Sequence, residues 1–204
     1  MLAVSAGPEH LLATIRPYVD DERVLAAIRA VPRERFVPPE LAAEAWDNVP
    51  LPIGSGQTIS QPLVVARMCE LLQLRGGERV LDVGTGSGYH AAVLAQLVAH
   101  VWSIERHASL SEQAARNLAA AGVTNVTLAV GDGTLGLPAE APFDAINVAA
   151  ACAVVPAALE AQLAPGGRLV APVEDGDQRL FVVRRVGEEL ERTPLERVRF
   201  VPLI

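Results

Sequence analysis

The chain contains no lysine; all 17 of its basic residues are arginine. Without that amine there is no Schiff-base chemistry and no P-loop lysine to grip a phosphate. Cysteine is almost as scarce. Cys69 and Cys152 are the only two, too distant in sequence for a disulfide framework or a zinc motif, and Cys69 falls in a helical apolar pattern that marks it as core. The four histidines, His10, His90, His100 and His107, show no paired ligand spacing, so no metal site is expected. Positive charge is short as well: the net charge of −7 argues against nucleic acid as the main partner, because a phosphate-binding surface is basic. Long apolar runs are missing too. The longest, from Ala145 to Ala164, is interrupted by Asn147, Pro156 and Glu160 and reads as strand, loop and helix, not as a membrane span. The first residues lack a basic region, and acids arrive at Glu9, Asp20 and Asp21, so no secretory signal is expected and a cytoplasmic protein is the default.

What is present is an ordinary globular composition, half hydrophobic and one fifth charged over 204 residues, enough for one domain with a substantial core. Residues 1–62 read as an N-terminal helical cap with a loop, and 63–204 as the body of that domain. From Glu9 to Ala30 the apolar spacing is helical, broken between Pro17 and Asp20. Val31 to Pro39 carries three prolines, which predict an extended path anchored by Phe36 and Val37; a short helix at Leu41 to Ala45 follows. In Asn48 to Pro62 the prolines and glycines exclude both a helix and a central strand. That stretch reads as a loop, too apolar for disorder and long enough to be functional.

Beyond a helix to Leu74, strands are expected at Val80–Val83, Val101–Ile104, Val126–Val130, Phe143–Val148 and Arg168–Val173. Helices are expected at Ala91–Ala95, Ala108–Ala121 and Pro156–Leu163, with Asn117 on a polar side. A closing hairpin is expected from Arg179–Val186 and Arg197–Pro202. This alternation predicts an α/β fold: a doubly wound, mostly parallel sheet with helices on both faces.

The stretch Val80 to His90 is the most informative. An apolar strand with one acid, Asp82, runs into glycines at alternate positions, Gly84, Gly86 and Gly88, and then into a helix. That sequence builds a nucleotide-shaped crevice at the carboxyl end of a sheet. A dinucleotide fold requires G-x-G-x-x-G with a pyrophosphate on the helix N-terminus; here the spacing is G-x-G-x-G. A carboxylate two residues before the first glycine repels a pyrophosphate but suits a ligand ammonium group. Glu105, 23 residues beyond Asp82 at the end of the next apolar run, suits two ribose hydroxyls. An ammonium, a close backbone approach and a ribose describe S-adenosylmethionine better than NAD.

The sequence resembles the protein-L-isoaspartate O-methyltransferase family over roughly Val31 to Leu203. The resemblance is carried by Arg35-Phe36-Val37-Pro38, Pro50-Leu51-Pro52-Ile53-Gly54, Gly56-Gln57-Thr58-Ile59-Ser60-Gln61-Pro62, the Val83 to Tyr89 turn, Gly131-Asp132-Gly133, Pro142-Phe143-Asp144-Ala145-Ile146, Pro165 to Val173 and Arg199-Phe200-Val201-Pro202-Leu203. It implies a Rossmann-like seven-stranded methyltransferase sheet. It further implies methyl transfer from S-adenosylmethionine to the free α-carboxyl of L-isoaspartyl residues in damaged proteins and peptides, by a monomer.

By the same resemblance the catalytic loop serine is Ser60. The cofactor contacts fall on Gln57, Thr58, Ile59, Asp82, Gly84, Thr85, Gly86, Ser87, Gly88, Glu105, Asp132 and Gly133. The substrate-facing positions are Pro52, Ile53, Gly54, Ser60, Val155, Pro156, Val201, Pro202 and Leu203. For Asp132 the residues leave two roles open: accepting from the adenine amino group, which is preferred, or capping the following turn. The chain departs from the family pattern at Ala149-Ala150-Ala151, at Glu174 and at His90, where glutamine is frequent. A carboxyl methyltransferase for one dedicated peptide and a non-catalytic binding module of the same fold are the alternatives. Because a carboxylate is already ionised at neutral pH, the chemistry requires no strong general base, in keeping with the absence of a His-Asp pair.

Overall fold

The computed structural model describes residues 7–203. Residues 1–6 and Ile204, on which the expectations about the chain's start and end partly rest, lie outside the described residues.

Helices α1 (Pro8–Ile15) and α2 (Glu22–Ala30) flank a 3-10 turn at Arg16–Tyr18. Pro8 fits a first helical turn, where its missing N–H has no intrahelical partner anyway. Asp21 caps α2 by accepting from Arg23 N at 2.8 Å. The extended path expected next is instead a 3-10 turn at Arg33–Phe36, closed by Arg35 N donating to the Pro32 carbonyl at 2.9 Å. Proline restrains the residues before it, so Pro32 permits a turn that starts after it. A second 3-10 segment, Pro39–Glu44, takes the place of the helix expected at Leu41–Ala45.

The stretch expected to be a loop is a β-hairpin. Strands β1 (Leu51–Gly54) and β2 (Gln57–Ile59) pair antiparallel, with Leu51 opposite Ile59 and Pro52 opposite Thr58. The two residues between them, Ser55 and Gly56, both have positive φ (51° and 69°), as a two-residue turn matched to strand twist requires. A two-stranded ribbon consists only of edges, so Pro52 breaks no rule of the sheet.

The remaining elements are α3 (Pro62–Leu71), β3 (Arg79–Val83), α4 (Tyr89–Ala95), β4 (His100–Glu105), α5 (Ala108–Ala120), β5 (Val126–Val130), β6 (Phe143–Val148), α6 (Ala157–Ala161), β7 (Leu163–Asp175), β8 (Asp177–Val186) and β9 (Glu189–Arg197). They form a seven-stranded sheet in the order β5-β4-β3-β6-β7-β8-β9. β3 to β7 are mutually parallel, and β8 and β9 close the sheet antiparallel.

Two boundaries differ from expectation. β7 begins at Leu163, so α6 is shorter than Pro156–Leu163; the Pro165-Gly166-Gly167 turn is absorbed as a register irregularity against β6. The final strand is Glu189–Arg197, hidden by its Glu and Arg residues and by Pro194, which the outermost strand tolerates. Val201 to Leu203 runs beside Ala151 instead: Ala151 N donates to Val201 O at 2.8 Å, and Leu203 N to Ala151 O at 2.7 Å.

Strand periodicity divides the core in two. Val80, Val101, Ala145, Val170, Leu180 and Val182 share one cluster with the apolar residues of α1 to α4 and Leu118 of α5. Leu81, Val83, Ile104, Ile146, Leu169 and Val183 face the other way, into a smaller cluster with Leu159 of α6. The N-terminal helices thus share a core with the sheet. Asn117, expected on a polar side of α5, is buried there and donates to the Ser87 carbonyl at 2.9 Å.

Gly88 joins this packing to the glycine turn. It sits at φ 89° before α4, and a Cβ there would lie 3.3 Å from both Ala114 and Leu118 of α5. Gly88→Ala should therefore lower the unfolding free energy by about 1–3 kcal/mol through backbone strain and crowding. An unchanged urea midpoint and slope would show that the position does not require glycine.

Candidate active site

Parallel register places Ser103 of β4 and Asn147 of β6 opposite Asp82 of β3. These three form a polar row across the sheet on the face covered by α4. Ser103 Oγ donates to Asp82 Oδ2 at 2.8 Å, and Asn147 Nδ2 donates to Asp82 Oδ1 at 2.7 Å. The row extends at both ends. Thr85 Oγ1 lies 2.6 Å from Ser103 Oγ, whose proton is already engaged, so Thr85 donates. The second amide proton of Asn147 faces His90 Nδ1 at 3.2 Å, which leaves the ring proton on Nε2, 3.5 Å from Cys69 Sγ. Burial pushes the His90 pKa down to about 3, so the ring is neutral.

Asp82 is 0% exposed and has no ion-pair partner among the described residues. Burial raises its pKa to about 6; the hydrogen bonds from Asn147 and Ser103 oppose that rise, and the Glu105 charge adds to it. The Asn147 Oδ1 atom is buried without a partner. An acid was expected to meet a ligand directly here. The structure places it behind the glycine turn, buried and off the crevice lining.

In front of the turn lies a crevice, at the carboxyl ends of the strands where the order reverses between β3 and β6. Of the expected cofactor residues, Gln57, Thr58, Gly84, Gly86, Glu105 and Gly133 line it. Glu105 is 6% exposed; its Oε2 accepts from Gly86 N and its Oε1 from His107 N, each at 2.9 Å. The carboxylate thus clamps the turn to the end of β4 and retains lone pairs for hydroxyl donors. At Gly133 a Cβ would fall 2.7 Å from Val83 Cγ1, so only glycine fits that wall. A smaller recess adds Ile59, Thr85, Ser87 and Ser60, sharing Thr58, Gly84, Gly86 and Ala149 with the crevice.

Other expected site residues lie elsewhere. Gly88 packs against α5 as described. Asp132 is exposed, and its Oδ1 caps the following turn, accepting from Thr134 N at 2.8 Å and Thr134 Oγ1 at 2.7 Å. Val155 is corrected to a core residue, 7% exposed in the second cluster, because its side chain turns toward the sheet while neighbouring Val154 points outward. Pro156 is half-buried and Pro52 and Gly54 are exposed, none of them on the crevice; Ile53 packs toward Gly86. Val201, Pro202 and Leu203 line the crevice itself.

Ser60 borders a separate groove of about 870 Å³ with Arg199, Phe200 and Val201. Thr58 and Ala149 border groove, recess and crevice alike. The sequence reasoning missed Ser103 and Asn147, whose only signal was a polar residue near the end of an otherwise apolar run, and the crevice residues Arg106, His107, Ala149 and Ala150. Tyr89 packs edge-on against Phe36 at 5.6 Å, and Trp46 is buried, as core residues. Trp102 is half-buried with Arg79 over its ring at 4.2 Å.

The glycine cradle at the switch point, the Glu105 carboxylate on its wall and the uncompensated buried acid behind it suit a cationic nucleoside, and the fold and site define an S-adenosylmethionine-dependent methyltransferase. The family model described as protein-L-isoaspartate(D-aspartate) O-methyltransferase matches residues 8–204, and the chain belongs to that family. A protein-L-isoaspartate O-methyltransferase of Aeromonas salmonicida is 55% identical over 186 residues, covering 91% of each chain. One of Methanoculleus marisnigri is 53% identical, covering 91% of this chain and 85% of the relative. A Plasmodium falciparum structure bearing the same family name, in complex with S-adenosyl-L-homocysteine, superposes with a TM-score of 0.84 at 26% identity, covering 98% of this chain and 99% of its own.

A cation bound in front of Asp82 favours its ionised form, so affinity is lost as pH falls through the Asp82 pKa of about 6. Calorimetry should show S-adenosylmethionine binding weakening from pH 7 to pH 5, by at most about tenfold per unit for one proton. Asp82→Asn should flatten that dependence. A wild-type affinity that is level across this range would remove Asp82 from the cofactor's electrostatics.

Proposed function

We propose that the protein methylates the free α-carboxylate of L-isoaspartyl residues in damaged proteins and peptides, with Ser60 orienting the acceptor. The observation that carries this reading is the meeting of two spaces. The groove beside Ser60 and the glycine crevice share Thr58, Ala149 and Val201 as a common wall. An acceptor in one can therefore face a donor in the other.

When bound, S-adenosylmethionine supplies a methyl group already activated by a sulfonium, so transfer to a carboxylate forms one C–O bond, breaks one C–S bond and needs no proton. The chain's part is to position and to exclude water. Gly84 and Gly86 let the backbone approach the nucleoside, and Glu105 can accept from ribose hydroxyls. The Ser60 hydroxyl, half-buried at the groove, can donate to one carboxylate oxygen while the other attacks. A neutral donor suits this task, because a guanidinium at the same place would over-stabilise the nucleophile and slow it. The hairpin edge can hold an extended peptide by main-chain pairing, which tolerates many sequences, with Val201 on the wall beside it. Among the described residues no helix is long and apolar enough to cross a membrane; the proposal includes action as a monomer on proteins in the cytoplasm.

Methyl transfer to matched peptides, one with isoaspartate and one with aspartate, tests the activity; equal or absent transfer to both would reject it. Ser60→Ala should lower kcat on the order of 10²-fold with little change in cofactor affinity. Ser60→Thr, which keeps the hydroxyl, should fall between. A wild-type kcat in Ser60→Ala, or a methylated Ser60 found by mass spectrometry, would remove the serine from this role.

A further inference from the structure

We infer that Arg33 is a positioning residue for methyl transfer, a clasp that holds both ends of the Ser60-bearing hairpin against the start of the helix after the glycine turn. The inference rests on the Ser60 reading above. Arg33 is 0% exposed, and none of its bonds goes to a carboxylate. All are to main-chain carbonyls. Its Nη2 donates to Val49 O at 3.0 Å and to Ser60 O at 3.1 Å. Val49 lies two residues before β1 and Ser60 follows β2 directly, so one nitrogen ties together the entry and exit of the hairpin. The Nη1 atom donates to Ala45 O and, at 3.5 Å, to Asp47 O, fixing the approach to the same ribbon.

The guanidinium carbon also sits 5.6 Å from the centroid of the Tyr89 ring. Tyr89 is the first residue of α4, immediately after Gly88. One buried side chain thus connects the segment that carries the acceptor hydroxyl with the end of the turn that cradles the nucleoside. A two-stranded hairpin of this length is marginal by itself, and its tip is exposed. Its geometry has to be imposed from the base.

Burial lowers the Arg33 pKa to about 10, which still leaves it charged at neutral pH. The planar fork with its separated donors is what the task requires. A lysine keeps the charge, but its single nitrogen can serve only one of the two carbonyl pairs, Val49 with Ser60 or Ala45 with Asp47, that the two terminal nitrogens of the fork hold together. Arg33→Lys is therefore the informative change.

The test is a double-mutant cycle of Arg33→Lys with Ser60→Ala, in the full chain, on an isoaspartyl peptide. Arg33→Lys alone should lower kcat about tenfold or more, since small misplacements of a reacting group are costly, and change S-adenosylhomocysteine affinity by less than about twofold. In the Ser60→Ala background the same substitution should cause no further loss, because both changes act on one positioning event. Independent, additive losses would overturn the clasp, as would a folded Arg33→Lys protein with wild-type kcat. Should Arg33→Lys fail to fold, Arg33→Gln enters the same cycle under the same criteria. Hydrogen exchange separates this inference from the reading beneath it. With S-adenosylhomocysteine bound, Arg33→Lys should speed exchange of the amides between Leu51 and Ile59 and leave β3 and β4 protected. If the wild type methylates no isoaspartyl peptide, the activity assignment fails while accelerated exchange still upholds the clasp; unchanged exchange overturns it.

Discussion

A carboxylate shut inside a sheet face costs free energy unless donors hold it, and strand register meets that demand for Asp82. Its in-register neighbours on β4 and β6, whose side chains share its face, are serine and asparagine. From that row the rest of the site follows outward. Thr85 ties the glycine turn down to Ser103, Asn147 reaches His90 on the first turn of α4, and His90 meets Cys69 of α3. The acid is thus the point at which three strands, one turn and two helices are fastened together. Each of these partners is neutral, so the charge itself is left for whatever cation comes to rest in front of the turn.

Much of this was legible in the sequence, for reasons that differ by element. β3 and the glycine turn were read correctly because a buried strand, alternate glycines and a helix start impose local chemistry that little else satisfies. The hairpin at Leu51–Ile59 was read as a loop because its prolines forbid a central strand, and a ribbon with no central strand leaves no such trace. The last strand was misplaced because an outermost strand needs no apolar alternation, and Glu189–Arg197 has almost none. In the site, Glu105 lies on the crevice as its position at a strand end suggested, while Asp82 does not. That difference is one of depth: both side chains share a face of the sheet, but Glu105 is the last residue of β4, while Asp82 lies one residue inside the end of β3 with the glycine turn beyond it, and a one-dimensional motif does not say how far the turn covers the strand behind it.

Arginine carries the remote architecture of a chain that has no lysine. Arg33 spans carbonyls at the base of the hairpin, Arg168 donates to the Leu72 and Gln73 carbonyls after α3, and Arg67 bridges Glu70 and Glu196 between α3 and β9. In the first two cases the fork is used as a multiple donor to main chain, a role in which an ammonium is a poor substitute. The hairpin, short as it is, is thus fastened from its base by a side chain that lies outside it.

The Asp132-Gly133 pair gives the fold a bearing on its own ageing. An aspartyl residue followed by glycine is where a backbone nitrogen most readily attacks a side-chain carboxyl to close a succinimide, the lesion from which isoaspartate arises. Here the Asp132 carboxyl is held by the Thr134 amide and hydroxyl, which pull its pKa below the usual carboxylate range. Any exposed aspartate is ionised at neutral pH; what the turn adds is the pair of hydrogen bonds that hold Oδ1 toward Thr134. The turn that forms one wall of the crevice thereby ties down a carboxyl at the kind of step where the damage that the enzyme reverses begins.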